Sequence, residues 1–172
     1  VLKSKNFKIY LQQFKITAID RIRSLQIFKI GAPVAMQYIF EISAFSGAAI
    51  IIGTIGAEPQ AAHQIAINLA AFTYMIASGI ASSATIKTGN YLGQKSFTDL
   101  RRSAIASYHV VIGFMIFTAI LFVLASSLLP YLYTKDIEVV KIAAQLLIIA
   151  GFFQLFDGTQ VVGLGVLRGI GD

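Results

Sequence analysis

The amino-acid sequence predicts an all-α membrane protein. Of its 172 residues, 56% are apolar and only 13% are charged, whereas soluble domains carry about 25% charged residues. The mean hydropathy is +0.75. Each of four apolar runs exceeds the roughly 20 residues that a helix needs to cross a bilayer. We therefore predict a helix at the N-terminal end followed by four transmembrane helices at about 30–55, 61–86, 103–129 and 142–167.

The segment before the first run, residues 1–29, is strongly basic. It contains seven lysines and arginines against the single acid Asp20. Its apolar residues recur at helical spacing, which predicts an amphipathic helix with a cationic face: they are Phe7, Leu11, Phe14, Ala18, Ile22, Leu25 and Phe28. Such a helix suits the membrane interface, where lysines meet anionic headgroups. We interpret it as a cytoplasmic or interfacial connector; the alternative is a solvated linker helix.

The charges of the connecting segments predict the orientation of the spans. Residues 87–102 contain four basic residues and one acid, and residues 56–60 contain no basic residue. Between the third and fourth runs, two lysines are balanced by two acids. By the positive-inside rule, both ends of the chain and residues 87–102 are cytoplasmic, and 56–60 and 130–141 lie outside.

Composition also excludes several classes of function. The chain has no cysteine, so it has neither disulfides nor a thiolate metal site. Its net charge of +6 follows from the loop charges, which favours lipid headgroups over nucleic acid as the partner. No H-E-x-x-H or G-x-S-x-G motif occurs, and we expect no enzymatic activity and no organic cofactor. Because the chain begins at Val1 and ends just after a glycine-rich stretch, we expect a piece of a larger protein.

Two carboxylates lie deep in apolar runs, where charge is costly. Glu41 lies twelve residues after Lys29, and Asp157 lies eleven residues before Arg168. At 1.5 Å per residue, both acids lie roughly 16–18 Å from the cytoplasmic rim, near the midplane. An acid at the centre of a span costs roughly 2.5–3.5 kcal/mol and usually faces the inside of a bundle.

Polar neighbours predict a lined interior around these acids. We expect them to support the cavity, because they recur at helical spacing on the runs: they are Gln37, Gln64, Asn68, Gln154 and Gln160. Two buried carboxylates can take up a proton or coordinate a monovalent cation with amide or backbone oxygens, which is typical of ion-coupled transporters. The alternative is that both acids only hold helices together by hydrogen bonds.

Three collinear stretches carry a family resemblance. GAPVAMQYIFEISAF (31–45), AAHQIAINLAAFTYMIASGIASSATIKTGNYLGQ (61–94) and QLFDGTQVVGLGVLRGIGD (154–172) resemble the second half of multidrug and toxic compound extrusion (MATE) transporters. The resemblance implies a twelve-helix, two-lobed protein of the inner membrane, of which this chain supplies the connector and helices seven to ten. It also implies export of cationic or amphiphilic compounds in exchange for sodium ions or protons.

The resemblance assigns roles to individual residues. Glu41 and Asp157 match the two acids that form the cation site in this lobe of the NorM-type branch, and retention of both favours that branch. Phe45 matches an aromatic residue that can face the cation through a cation–π contact. Phe153 stands where that branch often has a tyrosine, so the site has one oxygen ligand fewer. The expected partners are the other lobe, membrane lipids and cationic or amphiphilic substrates.

Two other functional hypotheses are open at this point. A flippase for lipids or polysaccharide precursors shares the superfold, but a cavity for phosphate-bearing substrates should be more cationic than this one. A membrane scaffold or channel would show no ion-dependent export.

Overall fold

A computed structural model shows four long α-helices in the part of the chain that the structure describes, residues 21–171, with only the backbone of Arg23 described. A short 3₁₀-helix, Leu129–Leu132, precedes the last of them. No β-strand occurs in the described range, and the predicted all-α fold is confirmed. The helices are α1 (Arg21–Ile55), α2 (Ala57–Gly93), α3 (Phe97–Leu124) and α4 (Ile137–Ile170).

All four α-helices are long and apolar enough to cross a bilayer. They contain between 28 and 37 residues, which at 1.5 Å rise per residue gives more than about 40 Å, against a hydrocarbon core of about 30 Å. The mean hydropathy of their most apolar windows lies between 1.6 and 2.2. The four predicted runs therefore correspond to four helices of spanning length.

The first helix extends on both sides of the boundary predicted at residue 29. Residues 21–29 belong to α1, which continues without a break through Pro33 to Ile55. A proline inside a helix removes one backbone hydrogen bond, yet α1 does not end there. The structure thus joins the end of the predicted connector to the first span; residues 1–20 of that connector lie outside the described residues.

The third helix ends earlier than the apolar run suggests. The predicted run continues to residue 129, but α3 ends at Leu124, where the N–H of Ala125 donates to Leu121 O. A turn follows, and the 3₁₀-helix has Pro130 near its start. Proline has no N–H to continue an α-helix but fits the first turn of a new one. Helix α3 therefore ends five residues before the end of the predicted apolar run at residue 129.

Helix α4 has well-formed ends. The Asp136 carboxylate accepts hydrogen bonds from the backbone N–H groups of Glu138 (3.0 Å) and Val139 (3.4 Å), so Asp136 is the N-cap. At the other end Gly171 has φ 86°, a left-handed conformation that glycine adopts at little cost. These two residues set where α4 starts and stops.

The chain divides after Ala48 into two compact units. The first contains most of α1, and the second contains the end of α1 together with α2, α3 and α4. Small residues of α2 pack against larger side chains of α3 and α4 to form the main buried cluster of the second unit, which consists of Ala77, Ala81, Ala84, Val111, Met115 and Val162.

Helices α2 and α4 approach each other closely in the C-terminal half of each helix. A Cβ atom placed on Gly165 would lie 2.6 Å from the carbonyl oxygen of Ala81. At the same place the Thr85 hydroxyl donates to Gly165 O at 2.7 Å. Small residues permit this backbone proximity, which is the usual way that helices pack in lipid.

The outward faces of the second unit are apolar. Phe117, Leu124, Phe152 and Phe156 are each more than 60% exposed. In water, such patches would favour aggregation, but in a bilayer they contact acyl chains. The exposed phenylalanines therefore agree with the spanning assignment.

Candidate functional site

The first group of predicted site residues lies along α1. Gln37, Glu41 and Phe45 follow one another at intervals of four residues, so they lie on one side of the helix. Gln37 and Glu41 are partly buried, and Phe45 is 46% exposed. The α1 backbone thus presents an amide, a carboxylate and an aromatic ring on adjacent turns, as the spacing predicts.

The second group lies on α4, at the edge of its packed face. Gly151, Gln154 and Gly158 are buried, whereas Gln160 and Phe153 are exposed. Asp157 lies between these two sets around the helix axis and is partly buried. Its carboxylate therefore borders the helix contacts on one side and the open side of α4 on the other.

Gln154 is buried and contacts α2. Its side chain is 3% exposed, and its Oε1 lies 2.8 Å from the hydroxyl oxygen of Thr73, which is 6% exposed. This is a hydrogen bond between the buried side chains of two helices. The predicted cavity residue Gln154 is thus part of a polar contact between α2 and α4.

Sequence reasoning missed Thr73. The one available signal is that Thr73 lies with Ala62, Ala66 and Ala77 on the small-residue face of α2 that the structure buries. A hydroxyl on such a face needs a hydrogen-bond partner. The partner could not be read from the sequence, because it lies 81 residues further along the chain.

Gln64 and Asn68 lie on a different side of α2 from Thr73. Both are exposed, and at 100° per residue they lie between about 140° and 180° around the helix from Thr73. The structure therefore does not bring them together with the Thr73–Gln154 contact. Their role as supporting residues of a cavity stays a prediction.

The pairing of the two acids also stays a prediction. Glu41 belongs to the unit that ends at Ala48, and Asp157 belongs to the unit that begins at Ala49. Within residues 21–171, no cluster of three or more His, Cys, Asp or Glu side chains could hold a metal ion. The predicted site residues supply carboxylate and neutral amide oxygens as ligands. Such oxygens suit a proton or a hard monovalent cation better than a transition metal.

Comparison with known proteins places the chain in a family. The family model MatE matches residues 33–172. The probable multidrug resistance protein NorM of Xanthomonas axonopodis pv. citri (strain 306) is 35% identical over 164 residues, which cover 95% of this chain and 36% of that protein. The multidrug resistance protein NorM of Aliivibrio fischeri (strain ATCC 700601 / ES114) is 37% identical over 150 residues, or 86% of this chain and 32% of that protein.

A third relative gives the same result. The probable multidrug resistance protein NorM of Xylella fastidiosa (strain Temecula1 / ATCC 700964) is 36% identical over 152 residues, which cover 88% of this chain and 32% of that protein. The chain thus spans about a third of the length of these relatives. With four helices of spanning length and matches to membrane transporters, it is an integral membrane protein, and it belongs to the MatE family.

Proposed function

We propose that this chain is part of the second lobe of a two-lobed efflux transporter. The transporter exports cationic or amphiphilic organic compounds in exchange for sodium ions or protons. The similarity to the multidrug resistance proteins named NorM supports the transport class. The observation that supports the coupling mechanism is that two acids lie within apolar helices of spanning length, Glu41 twelve residues after Lys29 and Asp157 eleven residues before Arg168.

Glu41 and Asp157 together bind the coupling cation in this mechanism. A pair of carboxylates in a low-dielectric environment carries a costly negative charge, and a bound sodium ion or proton neutralises part of it. Neutralisation changes which helix packing is favoured, so the lobes switch and the organic cation is released outside. Each charge that crosses the membrane potential supplies about 2.3 kcal/mol per 100 mV, which can drive export against a gradient.

The transporter lies in the inner membrane, with residues 1–29, residues 87–102 and the C-terminal end of the chain in the cytoplasm. Lys95, Arg101 and Arg102 are exposed at the connection between α2 and α3, which supports this orientation by the positive-inside rule. The other lobe and membrane lipids are its structural partners.

The proposal is tested with Glu41→Gln and Asp157→Asn in the complete transporter. Each change keeps the side-chain shape and removes the negative charge. We expect either variant to reduce ion-driven efflux of a fluorescent organic cation from loaded cells or proteoliposomes at least tenfold. The matched control is Glu138→Gln, because Glu138 is an exposed acid at the outer end of α4 that pairs only at the surface with Lys141 (2.9 Å).

Three results would contradict the proposal in different ways. Ion-dependent export that is unchanged in both variants would remove the acids from the mechanism. Efflux that fails in wild type for organic cations but succeeds for a lipid-linked sugar would support the flippase alternative. Export that never responds to a sodium or proton gradient would support a scaffold or channel.

A further inference from the structure

The side chains of Thr73 and Gln154 meet between α2 and α4. The Thr73 hydroxyl oxygen lies 2.7 Å from the backbone oxygen of Ala70 and 2.8 Å from Gln154 Oε1. A hydroxyl has a single proton and cannot donate fully to both acceptors. A half-turn of the amide, which exchanges its oxygen and nitrogen, resolves the conflict: Gln154 Nε2–H then donates to Thr73, and Thr73 donates to Ala70 O.

Thr73 is the group that holds the Gln154 side chain in place. In the amide orientation that the structure gives, Gln154 Nε2 is buried and has no hydrogen-bond partner among the described residues. Among those residues, the amide is therefore anchored at one end only, through Thr73. If the Thr73 hydroxyl were removed, both ends of a buried amide would lack a partner, and the side chain would turn towards the nearest polar group.

The nearest functional group along α4 is Asp157. It lies three residues after Gln154, which is about one turn along the helix and about 60° around its axis. Helix α4 is held against α3 on a neighbouring face, where Gly151 lies next to Ala119 O and Gly158 lies next to the Met115 side chain. Hydrogen bonds between Thr73 and Gln154 and from Thr85 to Gly165 O both join α2 to α4, and the Gln154 contact lies nearer to Asp157 along the helix.

Apolar packing alone defines the rotation of a helix poorly in lipid, because lipid chains are as apolar as the helix surface. A hydrogen bond between buried side chains has a narrow range of distances and angles. A rotation of α4 by about 20° would move a side-chain group at a radius of about 5 Å by roughly 2 Å. A displacement of that size is comparable to the length of a bond between a cation and an oxygen ligand.

We propose that the Thr73–Gln154 pair positions Asp157 for the coupling cation. The inference rests on the proposed function, because it assigns Asp157 to the cation site. Thr73 and Gln154 act through Asp157 and need not touch the cation. Loss of the pair therefore weakens cation binding more than it slows the exporter when cation is saturating.

The test uses Thr73→Val and Gln154→Leu in the complete transporter, with Thr73→Ser as the conservative variant. The readout is the cation concentration that gives half-maximal efflux of a fluorescent organic cation, measured with sodium at constant pH and with protons in the absence of sodium. We expect Thr73→Val and Gln154→Leu to raise this concentration about tenfold, with the maximal rate reduced by less than threefold. Thr73→Ser keeps the hydroxyl and should stay within twofold of wild type.

Thr118→Val is the matched control. Thr118 is also buried (4% exposed), but its hydroxyl donates to Met115 O in its own helix, α3. It should stay within twofold of wild type, because no contact between helices is lost.

Four outcomes would overturn the inference. The first is a wild-type half-maximal concentration in both Thr73→Val and Gln154→Leu. The second is a shift of equal size in Thr118→Val, and the third is a Thr73→Ser variant that behaves like Thr73→Val. The fourth is a fall in the maximal efflux rate of Thr73→Val and Gln154→Leu with no change in the cation concentration that gives half-maximal efflux. If any of these four outcomes occurs while Asp157→Asn abolishes the ion dependence of efflux, the positioning role fails and the proposed function stands. If Asp157→Asn retains the ion dependence of efflux, the positioning role and the proposed function both fail.

Discussion

Gly165→Ala tests whether the close approach of α2 and α4 holds the second unit together. The added Cβ would lie 2.6 Å from Ala81 O, a backbone atom that cannot turn aside, whereas ordinary contact begins near 3.4 Å. The helices must therefore separate by about 0.8 Å at this point. The same movement would lengthen the hydrogen bond from Thr85 to Gly165 O, which is now 2.7 Å.

The expected magnitude combines three effects. Overpacking costs about 1–3 kcal/mol, and the weakened hydrogen bond costs about 0.5–1.5 kcal/mol. Replacing glycine by alanine inside a helix returns up to about 1 kcal/mol. With the full helix-propensity gain subtracted, we expect Gly165→Ala to lower the free energy of unfolding by about 0.5–3.5 kcal/mol.

The assay is the thermal stability of the purified protein in detergent, followed by the loss of monodisperse protein after heating. The control is Gly79→Ala, because a Cβ on Gly79 of α2 would have no atom within 4 Å. The control should be as stable as wild type or slightly more stable. If Gly165→Ala were as stable as Gly79→Ala, the closeness of α2 and α4 at Gly165 would be refuted.

Two further predictions concern orientation and the start of α4. Because the chain has no cysteine, the single variants Glu58→Cys and Lys95→Cys report the orientation of the helices in the membrane. A membrane-impermeant thiol reagent added to intact cells should label Glu58→Cys and not Lys95→Cys. The reverse labelling pattern would contradict the proposed orientation. Asp136→Ala removes the carboxylate that caps α4 and should lower the free energy of unfolding by about 1 kcal/mol. Asp136→Ser, which can still accept the same hydrogen bonds, should recover most of that loss in the same thermal assay; equal stability of Asp136→Ala and wild type would argue against the cap.

Much of the fold could be predicted from the sequence because a spanning helix is a property of a local segment. The four runs were placed by length and hydropathy alone, and each contains the body of a helix. The ends were less accurate. The third run continues as apolar residues beyond Leu124, where the helix stops, since hydropathy does not register backbone hydrogen bonding.

The positions of the candidate site residues along their helices were predictable, but their directions around the helix axes were not. The positions of Glu41 and Asp157 along their helices follow from counting residues at 1.5 Å each. Which neighbours line a common surface depends on how each helix is rotated. Gln154 was expected to line a cavity but is buried against Thr73, and Gln64 lies on the side of α2 away from that contact.

By itself the sequence determined the number of helices of spanning length, the charge asymmetry of their connections and the positions of the two acids along those helices. The free energy of inserting a segment is close to a sum over its own residues, so no knowledge of distant neighbours is required. Only the tertiary structure decided that Gln154 contacts Thr73 and that Gly165 meets Ala81. Those contacts join residues about 80 positions apart, and their existence depends on the rotation and register of packed helices, which local composition does not specify.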